Sequence, residues 1–112
     1  MGIVEKQVGQ ILIIELEGEL MGGPETEHFR ELIDEAIQNE NNKIIIDMSK
    51  VNWMNSSGLG MLMSALTSLR SSGGDLKLAN VSASVHRPIE ITRLDSVFEE
   101  FDSIEEAMST FA

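Results

Sequence analysis

The sequence predicts an α/β fold: a mixed, mostly parallel β-sheet of about five strands with about four α-helices packed over it. Three observations carry that expectation. Short aliphatic runs, Lys43-Ile-Ile-Ile-Asp47 and Leu76 to Asn80, alternate with stretches whose apolar residues recur at helical spacing. Strands separated by helices need crossover connections, and crossovers make neighbouring strands parallel. Finally, the chain has 112 residues, 42% of them hydrophobic. A chain of that size removes roughly two-thirds of its extended surface from water, so residues 1–112 are expected to form a single domain with its own core.

The elements follow in order. Ile3 to Gln7 and Ile11 to Leu16 read as two short strands joined by a tight turn at Val8-Gly9-Gln10. The alternation Ile14-Glu15-Leu16-Glu17 suits a strand with one wet face, so Glu15, Glu17 and Glu19 read as a solvated row rather than a metal site. Gly18-Glu-Leu-Met-Gly-Gly23 is expected to be a loop, because its glycines disfavour helix and strand alike. Pro24 fits the first position of a helix, with Glu25 and Glu27 against its positive end. Phe29, Leu32, Ile33, Ala36 and Ile37 then share one helical face, and Asn39-Glu-Asn-Asn42 stops the helix. Lys43 to Asp47 reads as a strand buried on both faces, followed by a connecting loop from Met48 to Asn55.

Leu59, Leu62, Met63, Leu66 and Leu69 mark a second amphipathic helix that opens at Ser56-Ser57-Gly58. It ends at Arg70-Ser-Ser-Gly-Gly74, where a cation and glycines suit a helix C-terminus. Leu76 to Asn80 is a further strand. Val85, Ile89 and Leu94 suggest a third helix, with Pro88 near its start or kinking it, and Val97 to Phe101 an edge strand. Ser103 and Glu106 form the capping box of a last helix.

Composition narrows the function classes. The 19 acidic against 8 basic residues give a net charge of −11. Nucleic acid and anionic membranes both ask for the opposite sign, so neither is expected as a direct ligand. Cysteine is absent, which removes disulfides, thiolate metal sites and cysteine nucleophiles. The histidines, His28 and His86, have no carboxylate partner evident in sequence, and each reads as solvated or helix-packing. Asn55-Ser-Ser-Gly58 is not a nucleophile elbow. Gly58-Leu-Gly60 lacks the third glycine of a dinucleotide loop, and there is no Gly-Lys-Ser/Thr. The expectation is a protein without enzymatic activity, cofactor or metal. No apolar run reaches transmembrane length and the N-terminus lacks a leader pattern; Met1-Gly2 is followed by Lys6 where a myristoylation start needs Ser or Thr. These features lead to the expectation of a cytoplasmic chain, monomeric for want of a heptad pattern.

The informative stretch runs from Ile45 to Gly60. It places two serines and two glycines where a helix opens after a buried strand. Unpaired N–H groups and the positive end of a helix dipole converge at such a point, which makes it an anion site. A serine there either caps the helix or carries a phosphoryl group that the helix end stabilises. Ser57 reads as a cap or turn residue. Trp53 and Met54 either pack the loop on the sheet or anchor a partner, since Trp and Met are frequent at interfaces. Met21 and Gly22 belong to the same surface, because loops after parallel strands gather on one side of the sheet. From Met48 to Gly74 the chain carries no carboxylate, only Lys50 and Arg70. A phosphate there meets little repulsion from its own segment.

Asp47-Met-Ser-Lys-Val-Asn-Trp-Met-Asn-Ser-Ser-Gly-Leu-Gly60 resembles the motif of the STAS domain, the fold of anti-sigma factor antagonists. That family has a strand ending in Asp, a hydrophobic loop position, then Asp-Ser-Ser/Thr-Gly-Leu/Ile-Gly opening a helix. Gly18-Glu19-Leu20, Leu76 to Val81, Phe98 and Ser103 to Ala107 match other parts of the family pattern. The resemblance implies that Ser56 is phosphorylated by a partner that is both anti-sigma factor and GHKL-type serine kinase. The unphosphorylated form would hold that kinase and free the sigma factor, so transcription would be regulated by partner switching. A PP2C-type phosphatase would reset the switch. Trp53, Met54, Asn55, Ser57, Gly58, Met21 and Gly22 would form the partner surface. The family position before the phosphoacceptor is usually Asp, and here it is Asn55. The other role the resemblance implies is a structural STAS subunit of a transporter complex.

Overall fold

A computed structural model describes residues 2–111. Five strands form one sheet in the order β1-β2-β3-β4-β5. They are β1 (Gly2–Val8), β2 (Ile11–Leu20), β3 (Lys43–Met54), β4 (Asp75–Ala79) and β5 (Glu100–Phe101). The helices are α1 (Pro24–Gln38), α2 (Ser56–Ser71), α3 (Ala83–Ile91) and α4 (Ile104–Ser109). β1 runs antiparallel to β2, with Ile3 opposite Leu16 and Val8 opposite Ile11. Gly9 turns this hairpin at φ +61°, a conformation glycine adopts without steric cost. Every other pairing is parallel, so the sheet is mixed and mostly parallel as the alternation of elements requires.

The two faces of the sheet bury different cores. Leu12, Ile14, Leu16 and Leu20 of β2 and Ile44, Ile46 and Met48 of β3 pack against Phe29 and Ile33 of α1, Leu62 and Leu66 of α2, and Val85 and Ile89 of α3. On the other face Ile11, Ile13, Ile45 and Ala79 meet Ala107, with Phe101, Met108 and Phe111 around them. β3 is therefore buried on both sides, as its run of isoleucines indicates. Lys77 of β4 fastens the C-terminal segment to this second face. Its buried ammonium donates to the carbonyl and the hydroxyl of Thr110 and lies 4.5 Å from the centre of the Phe111 ring.

Four boundaries differ from the sequence reading. β2 continues to Leu20, taking in Gly18 at φ +95°, so the expected loop shrinks to Met21–Gly23. β3 continues from Asp47 to Met54 where a loop was expected. The reason is a pair of register shifts: Glu15 and Glu17 face Asp47 and Lys50, and Gly18 and Glu19 face Val51 and Trp53. At each shift β3 supplies one residue more than β2, which is what a β-bulge does. Met48, Val51 and Met54, three apart, thus all reach the helix-side core. A spacing of three is not the period of a regular strand, so the segment is silent in a sequence scan. At the other edge, Val97 to Phe101 contributes only Glu100–Phe101, and Leu94 belongs to a 3₁₀ turn (Leu94–Ser96) rather than to α3. Pro88 lies inside α3, withholding one main-chain donor from the helix.

The last helix starts as expected. The Ser103 hydroxyl accepts the Glu106 N–H at 3.1 Å, while the Glu106 carboxylate accepts the N–H of Asp102 at 3.3 Å, one residue ahead of the cap.

Candidate functional site

At the carboxyl ends of β2 and β3 the chain makes two turns that touch. The N–H of Asn55 donates to the carbonyl of Leu20 at 3.1 Å. Gly58 sits directly on that carbonyl: a Cβ on it would lie 2.2 Å from the Leu20 oxygen. Only glycine allows α2 to start this close to β2. Gly22, at φ +77°, approaches from the other side, and a Cβ there would lie 3.0 Å from the Ser57 Cβ. Met21, Gly22, Asn55, Ser56, Ser57 and Gly58 are thus brought to one corner.

The cap of α2 is Asn55, not a serine. Its Oδ1 accepts the Gly58 N–H at 2.9 Å, and its carbonyl takes the first helical bond, from Leu59, at 3.0 Å. An amide caps as well as a hydroxyl and is fixed by this turn. Ser56 and Ser57 become the first two residues of the helix. Both are exposed, and neither hydroxyl makes a hydrogen bond among the described residues. Helix geometry leaves their N–H groups without an intrahelical acceptor.

The first turn of α2 has no acidic residue, so the positive end of its dipole is uncompensated by the helix itself. The two cations of the acid-free segment are used elsewhere. Lys50 lies 2.8 Å from the Glu15 carboxylate, which raises the lysine's pKa through that hydrogen bond and the charge, and Arg70 lies 3.1 Å from Asp75. An anion at this corner is met by main-chain N–H groups and the dipole. Asp47 is buried in the middle of β3, opposite the end of β4, its Oδ1 accepting from the Ser49 N–H at 3.0 Å and the Asn80 amide at 3.1 Å. The acid-free stretch of sequence does acquire acidic neighbours in space, for β2 places Glu17 beside Lys50 and Glu19 beside Trp53.

Two residues grouped together in the sequence point in opposite directions. Met54 is 3% exposed and packs in the helix-side core, whereas Trp53 is 47% exposed on the far face of the sheet. Met54 and the buried Gly58 are corrected accordingly: they shape the corner from within and offer no surface to a partner. Met21 is 49% exposed at the rim. Beside the corner a groove of about 620 Å³ runs between α1 and α2, lined among others by Thr26, Phe29, Ile33, Gly60 and Met63.

His86 departs from the sequence reading. Its Nδ1 lies 2.8 Å from Glu100 of β5 and its Nε2 3.4 Å from Glu90. The hydrogen bond to Glu100 is the main cause of its raised pKa. Glu90 was within reach of a sequence argument, being one helical turn away. Nothing local announces Glu100, which the sheet delivers from another element.

This fold and corner define a small α/β module whose exposed feature is a serine pair on an acid-free helix N-terminus, set at the ends of parallel strands. The chain belongs to the STAS domain family, whose model matches residues 3–107. A protein of Thermotoga maritima provisionally described as an anti-sigma factor antagonist is 35% identical over 77 residues, 69% of this chain and 68% of that one. The anti-sigma F factor antagonist of Paenibacillus polymyxa is 29% identical over 94 residues, covering 83% and 80%. A crystal structure of a Thermotoga maritima antagonist of the same provisional description superposes with a TM-score of 0.87 at 30% identity, over 96% of this chain and 92% of that one. Two more distant structures share the fold. The phosphorylated form of the Bacillus cell fate determinant SpoIIAA has a TM-score of 0.78 at 24% identity, covering 99% and 100%. A sulfate transporter family protein of Wolinella succinogenes has a TM-score of 0.80 at 20% identity, covering 92% and 85%.

Proposed function

We propose that this chain is an anti-sigma factor antagonist whose binding is switched by phosphorylation of Ser56. The observation that carries the proposal is the Ser56 hydroxyl: exposed, unbonded, and at the first position of a helix whose opening turn holds no acid. The relatives named as antagonists support the general role. In its unmodified state the corner of Met21, Gly22, Asn55, Ser56 and Ser57, with Trp53 at its edge, holds an anti-sigma factor that is also a GHKL-type serine kinase. Phosphorylation adds about −1.5 to −2 charges and three acceptor oxygens. The free N–H groups and the dipole of α2 take up that charge without refolding, while the added bulk and charge break the contact. A PP2C-type phosphatase removes the group and restores binding. The chain works in the cytoplasm as a monomer.

Asn55 bears on the efficiency of the switch. It keeps the cap, so the corner holds its shape, but it withholds the carboxylate that the family usually places beside the acceptor hydroxyl. The helix end therefore receives a phosphate without a neighbouring negative charge, and the kinase meets a neutral side chain next to the serine.

The test is incubation with ATP and the cognate kinase followed by intact-mass measurement and site mapping. One phosphoryl group is expected on Ser56, and Ser56→Ala is expected to accept none; full incorporation by that variant overturns the assignment. The likeness to a sulfate transporter family protein supports a second reading, a structural subunit of a transporter. No helix among the described residues is long and apolar enough to cross a membrane, so on that reading the chain would be recovered bound to a permease or membrane ATPase instead of a kinase.

A further inference from the structure

We propose that the sheet face turned away from α1 and α2, at the carboxyl ends of β2 and β3, is a docking surface that extends the kinase contact beyond Ser56. It takes a partner surface with an apolar pocket for Trp53 ringed by basic side chains. The proposal rests on the antagonist reading above and assigns it a second point of attachment.

This face of the sheet is covered unevenly. The C-terminal segment closes it over Ile11, Ile13, Ile45 and Ala79. Toward the carboxyl ends of β2 and β3 the core cluster formed by the described residues does not extend over it, and Trp53 of β3 and Val4 of β1 stand 47% and 53% exposed. The register accounts for the arrangement. Glu15, Glu17 and Glu19 alternate onto this face, and the second bulge of β3 sets Trp53 beside Glu19. Trp53 and Met54 are neighbours in the strand and point to opposite faces, Met54 into the helix-side core and Trp53 onto this one. An indole left half in water forgoes its burial energy; a single exposed apolar residue is common on protein surfaces, and what sets Trp53 apart is the carboxylate row beside it.

Charge complementarity selects the occupant. Lys50 engages Glu15 at 2.8 Å. Glu17 and Glu19 form no ion pair among the described residues. Carboxylates flanking an aromatic attract a basic protein surface, repel an acidic one, and exclude nucleic acid and anionic lipid. The face is also continuous with the corner. Trp53 and Ser56 are three positions apart, and that much chain spans at most about 11 Å. One partner can grip the indole on the sheet side while its catalytic site reaches the serine on the helix side. The grip is separate from the helix end, so it orients Ser56 without itself being the contact that phosphate breaks.

Trp53 is the only tryptophan in the chain, which gives the experiment a direct reporter. The protein is labelled with 5-fluorotryptophan and titrated with a purified GHKL-type kinase that phosphorylates it. The single fluorine resonance is expected to shift on complex formation. Glu17→Lys with Glu19→Lys is expected to slow association about tenfold at low salt, the lower end of what electrostatic steering contributes, and to flatten its salt dependence. Trp53→Ala is expected to weaken binding about thirtyfold, as loss of an anchor residue does. Glu17→Gln with Glu19→Gln gives a milder version should the reversed charges disturb the strand. An unmoved resonance, with association unchanged in the charge variants while Ser56→Glu still abolishes the complex, overturns the docking surface and leaves the switch intact. A kinase that phosphorylates Ser56 at the same rate in the Trp53 and charge variants also overturns it. Failure of every such kinase to bind the unmodified chain overturns both.

Discussion

Two helices begin at the same corner of this molecule and treat their positive ends in opposite ways. α1 starts after Gly23 without any side-chain cap, with Pro24 at its head and Glu25 and Glu27 in its first turn. The Glu25 carboxylate is held below its ordinary pKa chiefly by a hydrogen bond with the main chain. α2 starts from a neutral cap, Asn55, and its first turn carries serines and glycine but no acid. One helix end is closed by its own carboxylates; the other keeps its charge available. The comparison teaches that proximity to the sheet end does not make an anion site. What distinguishes α2 is that nothing in its own sequence has filled the site.

The largest effect comes from forcing the two ends apart. Gly58→Ala drives a Cβ into the Leu20 carbonyl, and overpacking against main chain is expected to cost about 3 kcal/mol. Urea denaturation of the variant measures it, and an unchanged midpoint would show that α2 can start elsewhere. Removing the neutral cap is milder. Asn55→Ala leaves the Gly58 N–H unpaired and is expected to cost about 1 kcal/mol, read from the same titration, with phosphorylation of Ser56 slowed as the helix end frays.

The smaller effects appear in pH. Glu25 has a lowered pKa in the folded state, so its stabilisation of α1 is present above the unfolded carboxylate value and lost as pH falls through the folded one. A thermal melt series through the acid range should therefore lose less stability in Glu25→Gln than in the unmodified chain, and no matching limb should arise from α2. His86 gives the opposite sign. Its raised pKa means that stabilisation by Glu100 and Glu90 is full below the unfolded histidine value, about 6.5, and fades as pH rises through the folded one. His86→Gln should flatten the neutral limb of the melt series and leave the acid limb in place.

Much of the site was legible in one dimension. Asn55-Ser56-Ser57-Gly58 announces a helix start after a strand, and its meaning survives folding because caps and helix ends are local structures. The identity of the cap was not legible. Asn and Ser are both good caps, and the choice was made by the turn that ties Asn55 to Leu20. Trp53 and Met54 could not be separated either. Their faces depend on how many residues β3 spends against β2, which is a property of the pair of strands.

By itself the sequence determined the alternation of strands and helices, hence a mostly parallel sheet, and the acid-free opening of α2. These are encoded in period and punctuation over a few residues. Only the tertiary structure decided that β3 runs on through two bulges to Met54, that Trp53 faces water while Met54 joins the core, and that His86 meets Glu100. Each of these depends on register between elements far apart in the chain, and register is settled by which face can be buried, not by the residues that lie next to one another.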